Sequence, residues 1–208
     1  VQSSYNLIAR YYDQLSRLVF GNTLVKAQLW LLDVIAPGAR VLIAGGGTGW
    51  ILEAIAAKKW GLMITYVDSS AEMIRLSRQR EVGNNQVNFI AGKAEELPRE
   101  QAFDVVITPF LFDNFSAAGA RELFATLDNM LLPDGTWLYC DYRNTNVLWQ
   151  RLLLKSMYLF FAVVARVAAF SMPDMPALFA AGGYTMEEER LFLRGFISSA
   201  IYRKPGAH

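Results

Sequence analysis

Apolar positions along the 208-residue chain fall into two rhythms. Short unbroken runs, Val41–Ala44, Met63–Val67, Val87–Ile90, Phe103–Thr108 and Thr136–Cys140, have the length and make-up of strands buried on both faces. Between them lie stretches of helical spacing, Trp50–Lys59, Ala71–Arg80 and Ala118–Leu132. Pro37-Gly38, Gly83-Asn84-Asn85 and Pro133-Asp134-Gly135 supply the turns. This alternation predicts βαβ units, a parallel sheet and right-handed crossovers that put helices on both faces. Ahead of the first strand, residues 5–20 and 22–35 read as two helices split by Gly21-Asn22. In the second, Leu24, Ala27, Gln28, Leu31 and Leu32 share a face. After Asp141 the alternation stops. A helical stretch runs from about Val147 to Phe170, Pro173 and Pro176 break it, and a short helix ends at Gly182-Gly183. Tyr184–Leu193 and Phe196–Tyr202, joined at Arg194-Gly195, are expected to form an antiparallel hairpin. The expectation is one α/β domain over 1–208, with a helical cap at 1–36, a core at 39–142 and a C-terminal part at 143–208.

Composition narrows the chemistry. The single histidine is His208 and the single cysteine Cys140. Disulfide frameworks, cysteine-cluster metal sites and Ser-His-Asp or Cys-His catalysis therefore lack their residues, and no metal is expected. A net charge of +1 argues against a general nucleic-acid surface. The first residues show no basic segment leading into an apolar run, so the expected location is the cytoplasm.

The first predicted strand ends in Gly45-Gly46-Gly47-Thr48-Gly49, directly before a helix. Missing side chains let the backbone approach a ligand and reach positive φ, and the helix start offers N–H groups to an anion. Asp68 closes the second strand about 20 residues on, where a carboxylate can accept both hydroxyls of a ribose. A tight strand-to-helix turn is the plainer reading of the loop. A nicotinamide dinucleotide would need G-x-G-x-x-G, but the third position counted from Gly45 is Trp50. No Gly-Lys-Ser/Thr follows, so a P-loop is excluded.

VLIAGGGTG, YVDSSAEMI, FIAGKAEELP, FDVVITPFLF and LLPDGTWLYCDY together resemble the successive signature segments of class I S-adenosylmethionine-dependent methyltransferases. YNLIARYYDQLSRLVFG is similar to the lead-in of the ubiquinone/menaquinone-biosynthesis branch. The resemblance implies a three-layer Rossmann-like fold with a seven-stranded, mostly parallel sheet ending in an antiparallel hairpin. It implies S-adenosyl-L-methionine as cofactor, with Gly45, Gly46 and Gly47 near its methionine moiety. Asp68 would hold the ribose, with Ser69 beside it. Met73 would lie near the adenine, Lys93, Ala94 and Glu95 at its far edge, and Thr108 and Pro109 along the pocket. Tyr12 would close over the cofactor. Two positions depart from the family pattern: Ile43 and Lys93 stand where acids are usual. A non-catalytic S-adenosylmethionine- or S-adenosylhomocysteine-binding protein therefore stays open as an alternative, and a nicotinamide-dependent oxidoreductase as a remoter one.

Methyl transfer from a sulfonium depends on alignment more than on acid–base help, which suits a chain without an available histidine. The candidate bases are Asp13, Asp113 and Asp141, with Tyr142 a weaker one, and Tyr12 is a further candidate catalytic residue. Asp113-Asn114 reads equally well as a helix cap near Ser116. TPFLFDNF lacks the Asn/Asp-Pro-Pro-Tyr pattern of many nucleic-acid and protein methyltransferases, which favours a small, lipophilic acceptor methylated at O or C. Between Asp141 and Asp174 there is no acid. Arg151, Lys155 and Arg166 share one narrow helical face, with Trp149, Leu153, Met157, Phe160, Val164 and Val167 opposite. The segment Val147–Phe170 is expected to pack on the sheet, with its extra apolar surface burying a homodimer contact or a lid; a peripheral contact with an anionic membrane surface competes with this, and a membrane span is disfavoured by the charges.

Overall fold

The computed structural model describes residues 16–98, 102–164 and 172–206. Seven strands, β1 (Arg40–Ala44), β2 (Met63–Asp68), β3 (Gln86–Ala91), β4 (Phe103–Pro109), β5 (Leu131–Tyr142), β6 (Thr185–Phe192) and β7 (Ile197–Arg203), form one sheet. Its order is β3-β2-β1-β4-β5-β7-β6. The first five strands pair in parallel, and β7 enters antiparallel between β5 and β6. The helices are α1 (Thr23–Leu31), α2 (Trp50–Lys58), α3 (Ala71–Ser77), α4 (Ala117–Met130), α5 (Leu148–Val164) and α6 (Met175–Ala181). The seven-stranded Rossmann-like architecture expected from the sequence is therefore present.

Strand side chains alternate between faces, so β1 builds two cores at once. Val41 and Ile43 join Leu31 of α1, Ile51 and Ile55 of α2, Ile74 of α3 and Leu154 of α5. Leu42 and Ala44 join Leu123, Phe124 and Leu127 of α4 and Phe179 of α6. The second core centres on Trp137, which stacks on Phe124 at 4.9 Å and meets the edge of Phe179 at 5.1 Å. Its indole N–H, which burial would otherwise leave unsatisfied, donates to Thr108 Oγ1 at 3.0 Å.

Pro133-Asp134-Gly135 does not start a strand at Thr136. β5 begins at Leu131, and the register against β4 shifts between Phe103 and Val105. The tripeptide makes a bulge, with Asp134 at φ 58°. Its freed carbonyls find partners: Lys204 N–H donates to Gly135 O at 2.9 Å and Arg203 Nη1 to Asp134 O at 3.1 Å. The hairpin between β6 and β7 turns through Leu193, Arg194 and Gly195 at φ 49°, 54° and 85°.

Of the predicted first helix, residues 16–20 are helical and 1–15 lie outside the described residues. Residues 165–170 of the long C-terminal helix also lie outside them. No helix among the described residues is long and apolar enough to cross a membrane.

Candidate functional site

The carboxyl ends of β1 and β2 carry the glycine loop and Asp68 to the same crevice edge, as open parallel sheets do. Gly45 N–H extends the ladder by donating to Val67 O at 2.9 Å. Packing dictates the next residue. A Cβ on Gly46 would lie 2.2 Å from the Tyr66 ring, and the Tyr66 hydroxyl donates to Gly47 O at 3.0 Å. At Gly47, φ 66°, a Cβ would meet nothing within 4 Å. Tyr66 therefore supports the loop from below, and Gly47 faces open space above.

The Asp68 carboxylate organises this edge. Its Oδ2 accepts Gly47 N–H at 2.9 Å and its Oδ1 accepts Ser70 N–H at 2.8 Å. Burial raises its pKa above the usual carboxylate value, against the lowering effect of those two donors. Ser70 also caps α3 by accepting Met73 N–H at 3.2 Å.

The ends of β4 and β5 form the other side. Phe110 has φ 50°, a conformation that costs about 1–3 kcal/mol for a bulky residue, and its N–H donates to Cys140 O at 2.7 Å. Residues 112–114 form a 3-10 turn. Asp141 Oδ2 accepts Phe112 N–H at 3.0 Å and Asp113 N–H at 3.3 Å, while Oδ1 accepts Tyr142 N–H at 2.8 Å. Asn114 Nδ2 donates to Phe110 O and Leu111 O, each at 3.2 Å, and to Asp113 Oδ1 at 2.7 Å. Asp113 and Asp141 are both buried. Burial, and secondarily the neighbouring Asp141 charge, raises the Asp113 pKa well above normal. Burial lifts Asp141 to about 7, against three lowering N–H donors. The helix-cap reading of Asp113 gives way to Ser116, which caps α4 by accepting Gly119 N–H at 3.2 Å.

Beside this turn lies an aromatic cluster in which Phe20, Tyr142 and Phe196 are buried and Phe110 and Trp149 are partly exposed. Phe110 lies 5.0 Å from Tyr142, which lies 5.6 Å from Phe20 and 5.3 Å from Phe196. Trp149 of α5 lies 6.2 Å from Phe196.

The structure thus brings Gly45, Gly46, Gly47, Asp68 and Ser69 together at one edge, and Asp113 and Asp141 at the other. Ser69 is exposed and Met73 is buried in the first turn of α3. Lys93 and Glu95 are exposed on the turn after β3, whereas Ala94 points into the core. Gly92 N–H donates to Asp68 O at 3.0 Å, which ties that turn to the end of β2. Thr108 is fully buried with its hydroxyl engaged by Trp137, so its side chain faces the core. Pro109 pairs with Cys140. Ile43, in the position of the usual acid, is core beneath the loop and in register with Tyr66. Tyr12 and Asp13 lie outside the described residues. Tyr66 and Phe110 were not singled out in the sequence. Tyr66's only signal was its alternation with Val67 in a short strand.

Residues 41–135 match the family model described as "Methyltransferase domain". Over this span the chain is similar to methyltransferase domains. The matched span runs from β1 into the bulge of β5, and so includes the glycine loop, Asp68 and Asp113 but not Asp141. A demethylmenaquinone methyltransferase of Clavibacter sepedonicus is 29% identical over 149 residues, covering 68% of this chain and 58% of that protein. A malonyl-[acyl-carrier protein] O-methyltransferase of Priestia megaterium is 31% identical over 104 residues, covering 50% of this chain and 37% of that protein. The chain therefore spans only part of the length of these relatives. A Burkholderia thailandensis 1,6-didemethyltoxoflavin-N1-methyltransferase, solved with its substrate and S-adenosylhomocysteine, shares the domain's fold. Its TM-score is 0.69 at 18% identity, covering 97% of this chain and 87% of that one.

Proposed function

We propose that this chain is an S-adenosyl-L-methionine-dependent methyltransferase acting on a small, lipophilic acceptor at oxygen or carbon. The observation that carries the reading is the Asp68 edge, where one half-buried carboxylate fixes the glycine loop through Gly47 N–H beside the open space above Gly47. The donor set suits the cofactor. Each Asp68 oxygen takes one N–H and keeps acceptor capacity for a ribose hydroxyl. The N–H groups at the start of α2 suit the carboxylate of a methionine tail. When bound, the cofactor supplies a methyl group on a positively charged sulfur.

The chain's own part is alignment. Phe110, half-buried and backed by the buried Tyr142 ring, offers a ring face to a flat apolar acceptor and to a nearby sulfonium charge. Reacting atoms must be brought to about 3–3.5 Å in line, and a rigid aromatic cluster serves that end. Asp113 is the proposed base: a carboxyl whose pKa is raised by burial takes a proton more readily near neutrality. Tyr12 is assigned to closing over the cofactor. The names of the relatives, one acting on demethylmenaquinone and one an O-methyltransferase, support a lipophilic acceptor and leave both O and C in play.

Calorimetric titration with S-adenosylmethionine, S-adenosylhomocysteine and NADH tests the reading. Binding of both sulfur compounds and not NADH is expected; binding of neither overturns it. Product formation across a panel of phenols and quinols then separates a catalyst from a non-catalytic binder.

A partner surface accompanies this proposal. Arg151 and Lys155 lie on the outward face of α5 together with Leu148 and Leu152, which are 71% and 58% exposed. Leucines flanked by cations suit the headgroup layer of an anionic membrane, where a lipophilic acceptor would reside. A homodimer contact is the competing use of that face.

A further inference from the structure

We infer that Asp141 is a positioning residue of the donor site: it clamps the 110–114 turn over the glycine loop, so that donor closure and acceptor wall are built as one unit. The inference rests on the methyltransferase reading above and concerns a residue outside the matched domain span.

The register between β4 and β5 pairs Pro109 with Cys140, which sets Asp141 directly beneath the turn that follows β4. Asp141 is 1% exposed, so bulk solvent does not compete for the three N–H groups it accepts. Two of these belong to Phe112 and Asp113, the start of the 3-10 turn. The third, Tyr142 N–H, fixes the carboxylate on its own strand. The turn would not keep this shape unaided, because Phe110 sits in left-handed backbone. Asn114 closes it from the opposite side through the Phe110 and Leu111 carbonyls.

The clamped turn has a consequence at each end. Leu111 is pressed onto the first glycine of the loop, where a Cβ on Gly45 would stand 2.7 Å from its Cδ1. Phe110 is turned against Tyr142 at 5.0 Å, which completes the aromatic cluster. Asp141 touches neither donor nor acceptor in this arrangement. It acts through Leu111 on the methionine end of the donor and through Phe110 on the acceptor. The ribose end, held by Asp68 on β2, is independent of it.

That division supplies the test. Asp141→Asn keeps the shape of the side chain but replaces one acceptor oxygen with a donor. S-adenosylhomocysteine and adenosine are titrated into the native protein, Asp141→Asn, Leu111→Ala and Asp68→Ala. Asp141→Asn and Leu111→Ala are expected to weaken S-adenosylhomocysteine by about tenfold while leaving adenosine within about twofold. Asp68→Ala is expected to weaken both. Amide hydrogen exchange should speed up at Phe112 and Asp113 in Asp141→Asn, and not in β1 or β2. Equal weakening of both ligands, or no weakening, overturns the positioning role. Should Asp141→Asn fail to fold, Asn114→Ala loosens the same turn from its other side and is read the same way. If the native protein binds neither ligand, the methyltransferase reading fails, and that result is distinct from failure of the clamp.

Discussion

Tyr66 and Asp68 sit two positions apart on one strand and do complementary work on one loop. The Tyr66 ring fills the space beneath Gly46 and its hydroxyl takes Gly47 O, while Asp68 takes Gly47 N–H. Both polar groups of Gly47 are thereby engaged from β2, which leaves its open side toward a ligand. Gly46→Ala is expected to destabilise the fold by about 1–3 kcal/mol, since the Tyr66 ring cannot move out of a packed core. It should also abolish cofactor binding; an unchanged melting temperature with intact binding would count against the packing argument. Tyr66→Phe keeps the ring and removes only the hydrogen bond, so its cost should be near 1 kcal/mol. Asp68→Ala removes the proposed acceptor of the ribose hydroxyls and takes from Gly47 N–H its carboxylate partner. It should weaken S-adenosylmethionine by roughly a hundredfold, on the scale of one or two charge-assisted hydrogen bonds. Unaltered affinity by calorimetry would refute the ribose assignment.

At the scale of elements, the pairing of β4 with β5 puts two carboxylates, Asp113 and Asp141, in one dry place. Both pKa values are raised, and the sign of the consequence follows from linkage. Between the ordinary carboxylate value and the raised one, the folded protein binds more protons than the unfolded chain, so stability falls as pH rises through that window. For Asp141 the window runs from the ordinary value of 3.8 to about 7. The melting temperature should therefore decline from pH 5 to pH 8. Asp113→Asn removes the like charge while its amide oxygen can still accept from Asn114. It should raise the melting temperature at pH 8 and flatten the decline, with about 2–4 °C for each kcal/mol gained. A variant as steep as the native protein would show that the pair does not set this slope. The same strand ends show where sequence reading stops. β1, β2 and β4 were legible because strands buried on both faces are written as unbroken apolar runs. The glycine loop and Asp68 were legible because their link is local in sequence. The Asp141 clamp was not, since it depends on the register Pro109 to Cys140, which no local pattern encodes. The β5 bulge was misread for a similar reason: Pro-Asp-Gly signals a turn, and only its bonds to Arg203 and Lys204 keep it within the strand.

Across the whole molecule the net charge is only +1, so any attraction to an anionic surface must come from one patch rather than from overall charge. α5 supplies such a patch, in a form the helical pattern alone did not convey. The pattern set Leu153 and Met157 opposite the cations, and these residues do pack against the core beside Leu154. Leu148 and Leu152, however, share the exposed face with Arg151 and Lys155, because at about 100° per residue both fall within about 60° of Lys155. The inward face is completed by Gln150, whose Nε2 donates to Leu193 O at 3.3 Å and Arg194 O at 3.2 Å, tying the helix to the β6–β7 turn. α5 is thus anchored on one side and free to present leucines between cations on the other. Sedimentation with vesicles rich in phosphatidylserine should carry the protein down at low salt, and less so at 0.5 M salt, where screening acts within about 3–10 Å. Neutral vesicles should carry down much less. Arg151→Glu with Lys155→Glu should abolish the charge-dependent part, and Leu148→Ser with Leu152→Ser the residual binding at high salt. If the protein stays in the supernatant with anionic vesicles, the membrane role of this face is lost. A dimer seen by analytical ultracentrifugation that the leucine variants dissolve would then assign the patch to a second copy of the chain. Because the same helix reaches the aromatic cluster through Trp149, either occupant would sit next to the proposed acceptor site rather than on a remote surface.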